Sequence, residues 1–224
     1  MLELQLGASP RGLRTLLCLG AHCDDIEIGC GGTVLRLSQH YPGLQVFWVV
    51  LSSSEVRATE ARRSAARFLQ AVQHPEVVIK EFRNSFFPFV GAEIKEFFEE
   101  LKRRVAPDLV LTHTRDDLHQ DHRLTCELTW NTFRDHLILE YEIPKYDGDL
   151  GAPNAFVPLD PEHYNGKIEN LIECFPSQHD KHWFTRETFL ALMRLRGMES
   201  NAPSGYAEAF YCHKAVLAPA HAAD

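Results

Sequence analysis

Short apolar runs alternate with amphipathic stretches along most of the chain. Thr15–Gly20 (TLLCLG) and Asp108–Thr112 (DLVLT) have the length and apolar content of buried strands, and Gln45–Ser52 adds the β-branched and aromatic residues of a strand covered on both faces. Between such runs, Glu55–Gln73 and Ala92–Val105 place apolar residues at helical spacing. This alternation predicts an α/β fold with a mostly parallel sheet and helices on both faces.

The remaining elements follow from the same patterns. The other predicted strands are Glu76–Phe82, Ile138–Tyr146 and Ala209–Leu217, and the other predicted helices are Gly29–Tyr41, Leu118–Leu139, Pro161–Cys174 and Thr185–Arg196. Gly, Pro and Asn residues predict a loop over Asp147–Pro158. No repeat and no long linker interrupts these elements, so we expect residues 1–224 to form a single domain.

Composition narrows the classes of function. Asp and Glu (31) outnumber Lys and Arg (23), and the resulting net charge of -8 disfavours a broad nucleic-acid interface. The longest apolar run, Val46–Leu51, is far shorter than the roughly 20 residues of a membrane helix, and the first residues have no apolar stretch of signal-peptide length. Six cysteines without a CxxC pair favour reduced thiols over disulfides. We therefore expect a cytoplasmic protein with no membrane span and no nucleic-acid partner.

Two polar turns follow predicted strands, at the sheet edge where open parallel sheets bind ligands. The first, AHCDDIEIGCGG, places His22, Asp24 and Asp25 directly after the first strand. One Asp is accounted for as a helix cap, but two adjacent carboxylates repel each other unless a cation is bound. A dinucleotide site is disfavoured here, because a GxGxxG fingerprint should begin immediately after the strand.

The second turn, THTRDDLHQDH, contains His113, His119 and His122 among acidic residues. A single histidine in a polar loop is usually a surface residue. Three histidines at the ligand-binding edge of the sheet instead indicate a functional site. One of them, together with His22 and Asp25, would complete a three-ligand zinc site with an open position for water. Spacing alone does not choose among the three histidines. An adjacent Asp would orient a ligand imidazole through its second ring nitrogen.

The motifs A-H-C-D-D-x-E-x-G-x-G-G and H-x-D-H, in this order and on these elements, resemble those of the LmbE-like (PIG-L) family of zinc-dependent N-deacetylases. Weaker similarities are Arg57-x-x-Glu60-Ala61, Pro176-Ser177-Gln178 and the GYAEAF stretch that ends at Phe210. The resemblance covers most of the chain. It implies a Rossmann-like three-layer sandwich and a single LmbE-like domain.

Carried over by position, the resemblance implies that His22, Asp25 and His122 hold one Zn²⁺ per chain, with another divalent ion as an alternative. It implies Asp24 as the general base. Cys23 stands where the family has proline, and we expect a passive small residue there rather than a thiolate ligand.

The same resemblance implies that His119 acts with Asp121 on the leaving group or the oxyanion. It implies that Arg57 is catalytic and holds the substrate or the oxyanion. Tyr206, within the GYAEAF stretch, is a candidate substrate contact. Gln120 replaces the proline of the family's second motif without touching an expected ligand.

The implied activity is removal of an N-acetyl group from an amino-sugar (GlcNAc-like) substrate by metal-activated water. The expected partner is therefore an N-acetylated sugar or sugar conjugate, and relatives suggest a homo-oligomer. The alternative is a metal-dependent amidase for another N-acyl compound, such as a thiol-cofactor precursor. A binding protein with a purely structural metal is disfavoured, because such a site does not need Asp24. We expect the Asp147–Asp160 loop and the region around Trp183 to shape substrate choice. Tyr146, Tyr164, Trp183 and Tyr206 are the aromatic residues considered for stacking on a sugar face, although most aromatics belong to the core.

Overall fold

The structure, a computed structural model, describes residues 3–6 and 12–217 of the chain. The strands in this part are β1 (Thr15–Gly20), β2 (Gln45–Val50), β3 (Glu76–Ile79), β4 (Leu109–His113), β5 (Leu137–Tyr141), β6 (Ala155–Pro158) and β7 (Ala207–Tyr211). The α-helices are α1 (Asp25–His40), α2 (Glu55–Phe68), α3 (Gly91–Arg104), α4 (Gln120–Thr132), α5 (Pro161–Cys174) and α6 (Arg186–Ser200). Two 3₁₀ turns lie at Phe87–Phe89 and Pro176–Gln178.

All seven strands belong to one sheet, in the order β3-β2-β1-β4-β5-β7-β6. The first five strands are parallel, whereas β7 runs antiparallel to both β5 and β6. Leu17 of β1 is in register with Phe47 of β2 on one side and with Val110 of β4 on the other. The order of the strands therefore reverses beside β1, which is where sheets of this kind form a crevice for ligands.

Successive residues of β1 point to opposite faces of the sheet and into two separate cores. Leu16 and Cys18 belong to the core that contains residues of α1, α2, α5 and α6, while Leu17 and Leu19 belong to the core that contains residues of α3. All four side chains are fully buried. The predicted α/β sandwich, with a mostly parallel sheet between two helical layers, is confirmed.

The first helix begins earlier than its glycines predict. We expected a helix over Gly29–Tyr41, but α1 starts at Asp25, so the glycines lie within its first turns. A Cβ atom on Gly29 would lie 2.1 Å from Cδ2 of Tyr141, well inside van der Waals contact. The glycine therefore admits the Tyr141 ring of β5 against the helix rather than marking the helix start.

Other boundaries differ in the second half of the chain. The helix expected over Leu118–Leu139 ends at Thr132, and β5 begins at Leu137. The predicted Asp147–Pro158 loop contains β6, whose only partner among the described strands is β7. An edge strand tolerates proline and needs little apolar alternation, which is why its sequence resembles a loop.

The structure also addresses membrane-spanning helices and the state of the cysteines, about which the composition made predictions. Within the described ranges, no helix combines the length and the apolar character needed to cross a bilayer. All six cysteines are free thiols, and five of them are buried.

Candidate active site

The polar turns of the sequence meet where β1 and β4 end side by side. His22 lies in the turn after β1, and Asp25 is the first residue of α1. His119 caps the N-terminus of α4, and His122 lies in the first turn of that helix. Because the two strands are parallel neighbours, their carboxyl ends bring together side chains 100 positions apart in sequence.

Three donor atoms form a compact triangle at this junction. Nδ1 of His22 lies 3.3 Å from Oδ2 of Asp25 and 3.1 Å from Nε2 of His122, and the third side of the triangle is 3.5 Å. A tetrahedral zinc ion with bonds of about 2.0–2.1 Å separates its ligand atoms by about 3.3 Å. The triangle therefore has the dimensions of three corners of a zinc tetrahedron, and the fourth corner remains for water or substrate.

The second nitrogen of each of these imidazoles contacts a carboxylate. Nδ1 of His122 lies 2.8 Å from Oδ2 of Asp117, and Nε2 of His22 lies 3.3 Å from Oδ2 of Asp121. Such partners fix the ring orientation and the tautomer of metal-binding histidines. We expected the Asp121 carboxylate to act with His119, and the structure places it against His22 instead.

His113 packs beneath this triangle rather than completing it. Its ring stacks on that of His122 with the centroids 3.9 Å apart, and it is fully buried. Nε2 of His113 lies 3.0 Å from the backbone N of Ala21 and 3.1 Å from Oδ2 of Asp25, so this nitrogen is already engaged by contacts within the protein. Nδ1 of His113 has no hydrogen-bond partner among the described residues. Of the alternatives left open by spacing, His122 therefore fits a ligand role better than His113.

The protein alone holds these groups in contrasting protonation states. Burial opposes the charge on His22, but Asp25 and Asp121 outweigh it and raise the pKa of the imidazole to about 10. Burial and the adjacent His113 lower the pKa of His122 to about 3, which leaves its ring neutral. Burial disfavours charge on Asp25 as well, yet the surrounding histidines lower its pKa well below the usual range. In the metal-free protein, the proton on His22 thus supplies the positive charge that a bound cation would supply at the triangle.

Asp24 lies beside the triangle but contributes no atom to it. Its Oδ1 is 2.8 Å from Nη2 of Arg57, and both side chains line the same cleft. Burial alone would lower the pKa of Arg57, but the Asp24 carboxylate raises it, so the guanidinium stays charged. The neighbouring thiol of Cys23 donates to the carbonyl of Ser52, and burial raises its pKa to about 12. Cys23 is accordingly a protonated, buried thiol near neutral pH.

The segment between β3 and α3 encloses Asp121. The backbone N–H groups of Ser85 and Phe87 donate to its two carboxylate oxygens at 2.6 and 3.2 Å. Ser85 has a φ of 65°, a left-handed conformation that is uncommon for a residue other than glycine. On the other side, the N–H of Asp121 donates to Nδ1 of His119 at 3.2 Å. In the neutral imidazole of His119 the proton is therefore on Nε2.

A cleft of about 640 Å³ opens over these groups, a size typical of small-molecule sites. Of the four aromatic residues considered for stacking on a sugar, Tyr146 and Trp183 line it, whereas Tyr164 and Tyr206 do not. The structure does not bring Tyr206 into this lining. Its ring stacks on Tyr164 at 4.2 Å between centroids, beneath the guanidinium of Arg194.

Several polar residues around the site were not anticipated from the sequence. Asp117 was only one of several acids in its turn, and Lys145, whose Nζ lies 3.0 Å from Oδ1 of Asp117, carried no signal at all. Glu60 and Ser177 fall in two of the weaker family-like segments, and a hydrogen bond joins those segments. The only indication in the sequence that these two residues belong near the site is that both family-like segments occur in the same chain.

Residues 17–133, slightly more than half of the chain, match the family of GlcNAc-PI de-N-acetylases, PIG-L. The chain belongs to this family. Its two motifs lie on the elements that form the junction of β1 and β4, and the resemblance seen in the sequence is confirmed. As a PIG-L family member the protein is an enzyme of the deacetylase class, which acts on amide bonds.

This PIG-L protein is similar to a curated relative and to several solved structures, all at low sequence identity. It is 26% identical over 182 residues to an uncharacterized deacetylase, YaiS, of Escherichia coli, covering 76% of this chain and 96% of that protein. The N,N'-diacetylchitobiose deacetylase of Pyrococcus horikoshii superposes with a TM-score of 0.66 at 21% identity, over 92% of this chain and 86% of that one. GalB of Pseudomonas putida, a 4-carboxy-2-hydroxymuconate hydratase, superposes with a TM-score of 0.74 at 17% identity, over 94% and 100%. Likeness at this level shows the fold, and a hydratase shares it.

Proposed function

We propose that the protein is a zinc-dependent hydrolase that removes the N-acetyl group from an amino sugar of the GlcNAc type. The observation that carries the proposal is the triangle of His22, Asp25 and His122 with a separate carboxylate, Asp24, beside it in the cleft. A structural metal site needs no such extra carboxylate. The family match and the chitobiose deacetylase of the same fold support an N-acetylated sugar as the substrate.

His22, Asp25 and His122 would hold the ion, and the ring orientation enforced by Asp121 and Asp117 supports that role. A zinc ion there would polarise the acetyl carbonyl and lower the pKa of the attacking water towards ~7. A set of two histidines and one carboxylate also binds other divalent ions, so that supply and geometry select among them.

Asp24 would act as the general base. Arg57 engages Oδ1, and no other partner of this carboxylate is present among the described residues, so an oxygen remains for the water. As the water oxygen bonds to the acetyl carbon, its proton passes to Asp24. When the carbon–nitrogen bond then breaks, Asp24 returns this proton to the departing amine, and the products are acetate and the free amino sugar.

His119 would stabilise the oxyanion. Because Nδ1 accepts the N–H of Asp121, the neutral ring presents Nε2–H as a donor on the cleft wall. Burial lowers the pKa of His119, and in the metal-free protein the charge on His22 lowers it further. A cation bound at the triangle would act in the same direction, so that His119 donates as a neutral group near pH 7. A donor aimed at such an oxyanion is typically worth about 3–4 kcal/mol of the barrier. Arg57 would assist by holding Asp24 and by contacting the oxyanion as it forms, an interaction that affects turnover rather than substrate affinity.

The cleft favours a sugar over a flat or fully apolar ligand. Its lining combines three aromatic side chains, Phe82, Tyr146 and Trp183, with charged and amide side chains such as Lys145 and Gln178. Sugar rings use aromatic faces for their C–H surface and polar groups for their hydroxyls.

The test is a substrate panel with the metal-loaded protein, read by release of acetate and of a free amine. The panel contains N-acetylglucosamine, N,N'-diacetylchitobiose, nucleotide-linked and lipid-linked N-acetylglucosamine, and N-acetylated thiol compounds. We expect turnover of at least one sugar, its loss with chelator and its return with Zn²⁺. Turnover of the thiol compounds alone would favour the alternative amidase. A protein that takes up no metal and cleaves nothing would contradict the proposal.

A further inference from the structure

A buried carboxylate joins α2 to the turn that follows α5. Glu60 is 7% exposed, and its Oε1 and Oε2 accept the backbone N–H and the hydroxyl of Ser177 at 2.9 and 2.6 Å. The two residues are 117 positions apart in sequence. Neither residue belongs to the triangle of His22, Asp25 and His122. A role as a metal ligand therefore does not explain why they contact each other.

The direction of this contact is fixed by a neighbour. Nε2 of Gln178 donates to Oγ of Ser177 at 2.9 Å, which leaves the hydroxyl hydrogen of Ser177 for Glu60. Gln178 also lines the cleft, so the same short turn contacts both the cleft and the carboxylate. Both oxygens of Glu60 are thereby oriented by donors from one turn.

The same carboxylate faces the guanidinium that holds the proposed base. Oε2 of Glu60 lies 3.8 Å from Nε of Arg57, and Nη2 of Arg57 lies 2.8 Å from Oδ1 of Asp24. The ring of Phe175, just before the turn, lies 5.6 Å from the guanidinium carbon. The Arg57 guanidinium is thus contacted by two carboxylates, those of Glu60 and Asp24, and by the ring of Phe175. These contacts restrict the long side chain to conformations that point towards Asp24.

We propose that Glu60 and Ser177 are positioning residues of the deacetylase, acting through Arg57 on the orientation of Asp24. This inference rests on the proposed function, because it takes Asp24 as the base. Neither residue is expected to contact substrate or metal. Their effect should therefore fall on turnover, whereas substrate affinity and metal content should stay close to those of the wild type.

The first experiment compares Glu60→Gln, Ser177→Ala and the conservative Ser177→Thr. We expect Glu60→Gln to lower kcat about 10- to 100-fold through misplacement of Asp24, with KM and bound metal unchanged. Ser177→Ala should lower kcat less, since its N–H still reaches Glu60, and Ser177→Thr should restore turnover. The matched control is Glu142→Gln, which removes another buried glutamate that pairs with an arginine, Arg196, outside the cleft lining.

A second experiment separates positioning from a general loss of structure. In the Arg57→Ala background, Glu60→Gln should lower kcat little further, because the group through which Glu60 acts is gone. The control Glu142→Gln should have the same effect in both backgrounds. If Glu60→Gln lowers kcat equally with and without Arg57, or if it releases metal, the positioning role is wrong.

A third measurement does not depend on turnover. The ¹⁵N resonance of the Arg57 Nε–H group should be sharp in the wild type and broadened in Glu60→Gln, since the guanidinium is no longer held. If the wild type cleaves no substrate of the panel, the proposed function fails, yet this resonance still reports whether Glu60 holds Arg57. A resonance that does not respond to Glu60→Gln would overturn the inference even in an active enzyme.

Discussion

The Asp121 carboxylate lies 3.3 Å from Nε2 of His22 and accepts the N–H groups of Ser85 and Phe87. This contact connects the second sequence motif to a candidate ligand in the first motif. It also distinguishes the role of the Asp121 carboxylate from that of His119, which the sequence analysis treated as acting together. His119 receives only the backbone N–H of Asp121, while the carboxylate orients His22.

Replacing Asp121 by Asn should consequently weaken metal binding and not turnover alone. The amide lacks the charge that holds the Nε2–H of His22, and loss of such a partner typically costs about 10- to 100-fold in affinity. Asp117→Asn should have a similar effect through His122. Competition with a chromophoric chelator measures the dissociation constant, with exposed Asp116→Asn as the matched control. Unchanged affinity with lost turnover would return Asp121 to a role on the leaving group.

For Asp24, the proposed base, we expect the opposite pattern: lost turnover with metal binding unchanged. Asp24→Asn should keep the bound metal, since Asp24 is outside the donor triangle, and should lose turnover by a factor of about 100 or more because an amide does not accept the proton. Asp25→Asn and His122→Ala should lose metal together with activity. Elemental analysis and acetate release on the same samples distinguish the two patterns. An Asp24→Asn enzyme with near-normal turnover would remove Asp24 from the mechanism.

Metal uptake should release a proton from His22. In the metal-free protein its pKa is raised to about 10, because Asp25 and Asp121 outweigh burial, so the ring is charged below that pH and competes with the ion. Affinity should therefore rise about tenfold per pH unit and level off near pH 10. His122, with a pKa of about 3, contributes no proton. Calorimetry at pH 6 in two buffers of different ionisation enthalpy counts the protons, and a count near zero would contradict a protonated His22.

Gly29→Ala should destabilise the fold. The added Cβ would lie 2.1 Å from the Tyr141 ring, which is buried and whose hydroxyl donates to the carbonyl of Leu19. Overpacking of this kind typically costs about 1–3 kcal/mol. Gly43→Ala is the matched control, since nothing lies within 4 Å of its added carbon. Urea unfolding of both variants measures the difference, and equal stabilities would show that the ring moves aside freely.

The parts of the fold that sequence reasoning recovered are those encoded locally. Buried strands such as β1 and β4 are continuous apolar runs, and the meeting of His22, Asp25 and His122 follows from the parallel alignment of those strands. A cation site is indicated by the residue types of the first turn alone, because its adjacent carboxylates and histidine are costly to hold together without a positive charge.

The parts that were missed depend on distant partners. The role of Gly29 is set by Tyr141, over a hundred residues later, and the partner of Asp121 is set by side-chain orientation within its turn. Lys145 falls within the predicted strand Ile138–Tyr146, but β5 ends at Tyr141, and in the loop that follows Nζ of Lys145 lies 3.0 Å from Oδ1 of Asp117. Local periodicity contains no information about such contacts.

The donor triangle exists only while β1 and β4 lie side by side, because His22 follows one strand and His122 comes after the other. An ion held between them is a crosslink across the middle of the sheet, between β1 with its neighbours β2 and β3 and the strands that follow. Separating these two halves requires the ion to leave first, so the unfolded state and the ion compete directly. Scarcity of metal would then shorten the lifetime of the folded chain in the presence of proteases, as well as silencing its chemistry.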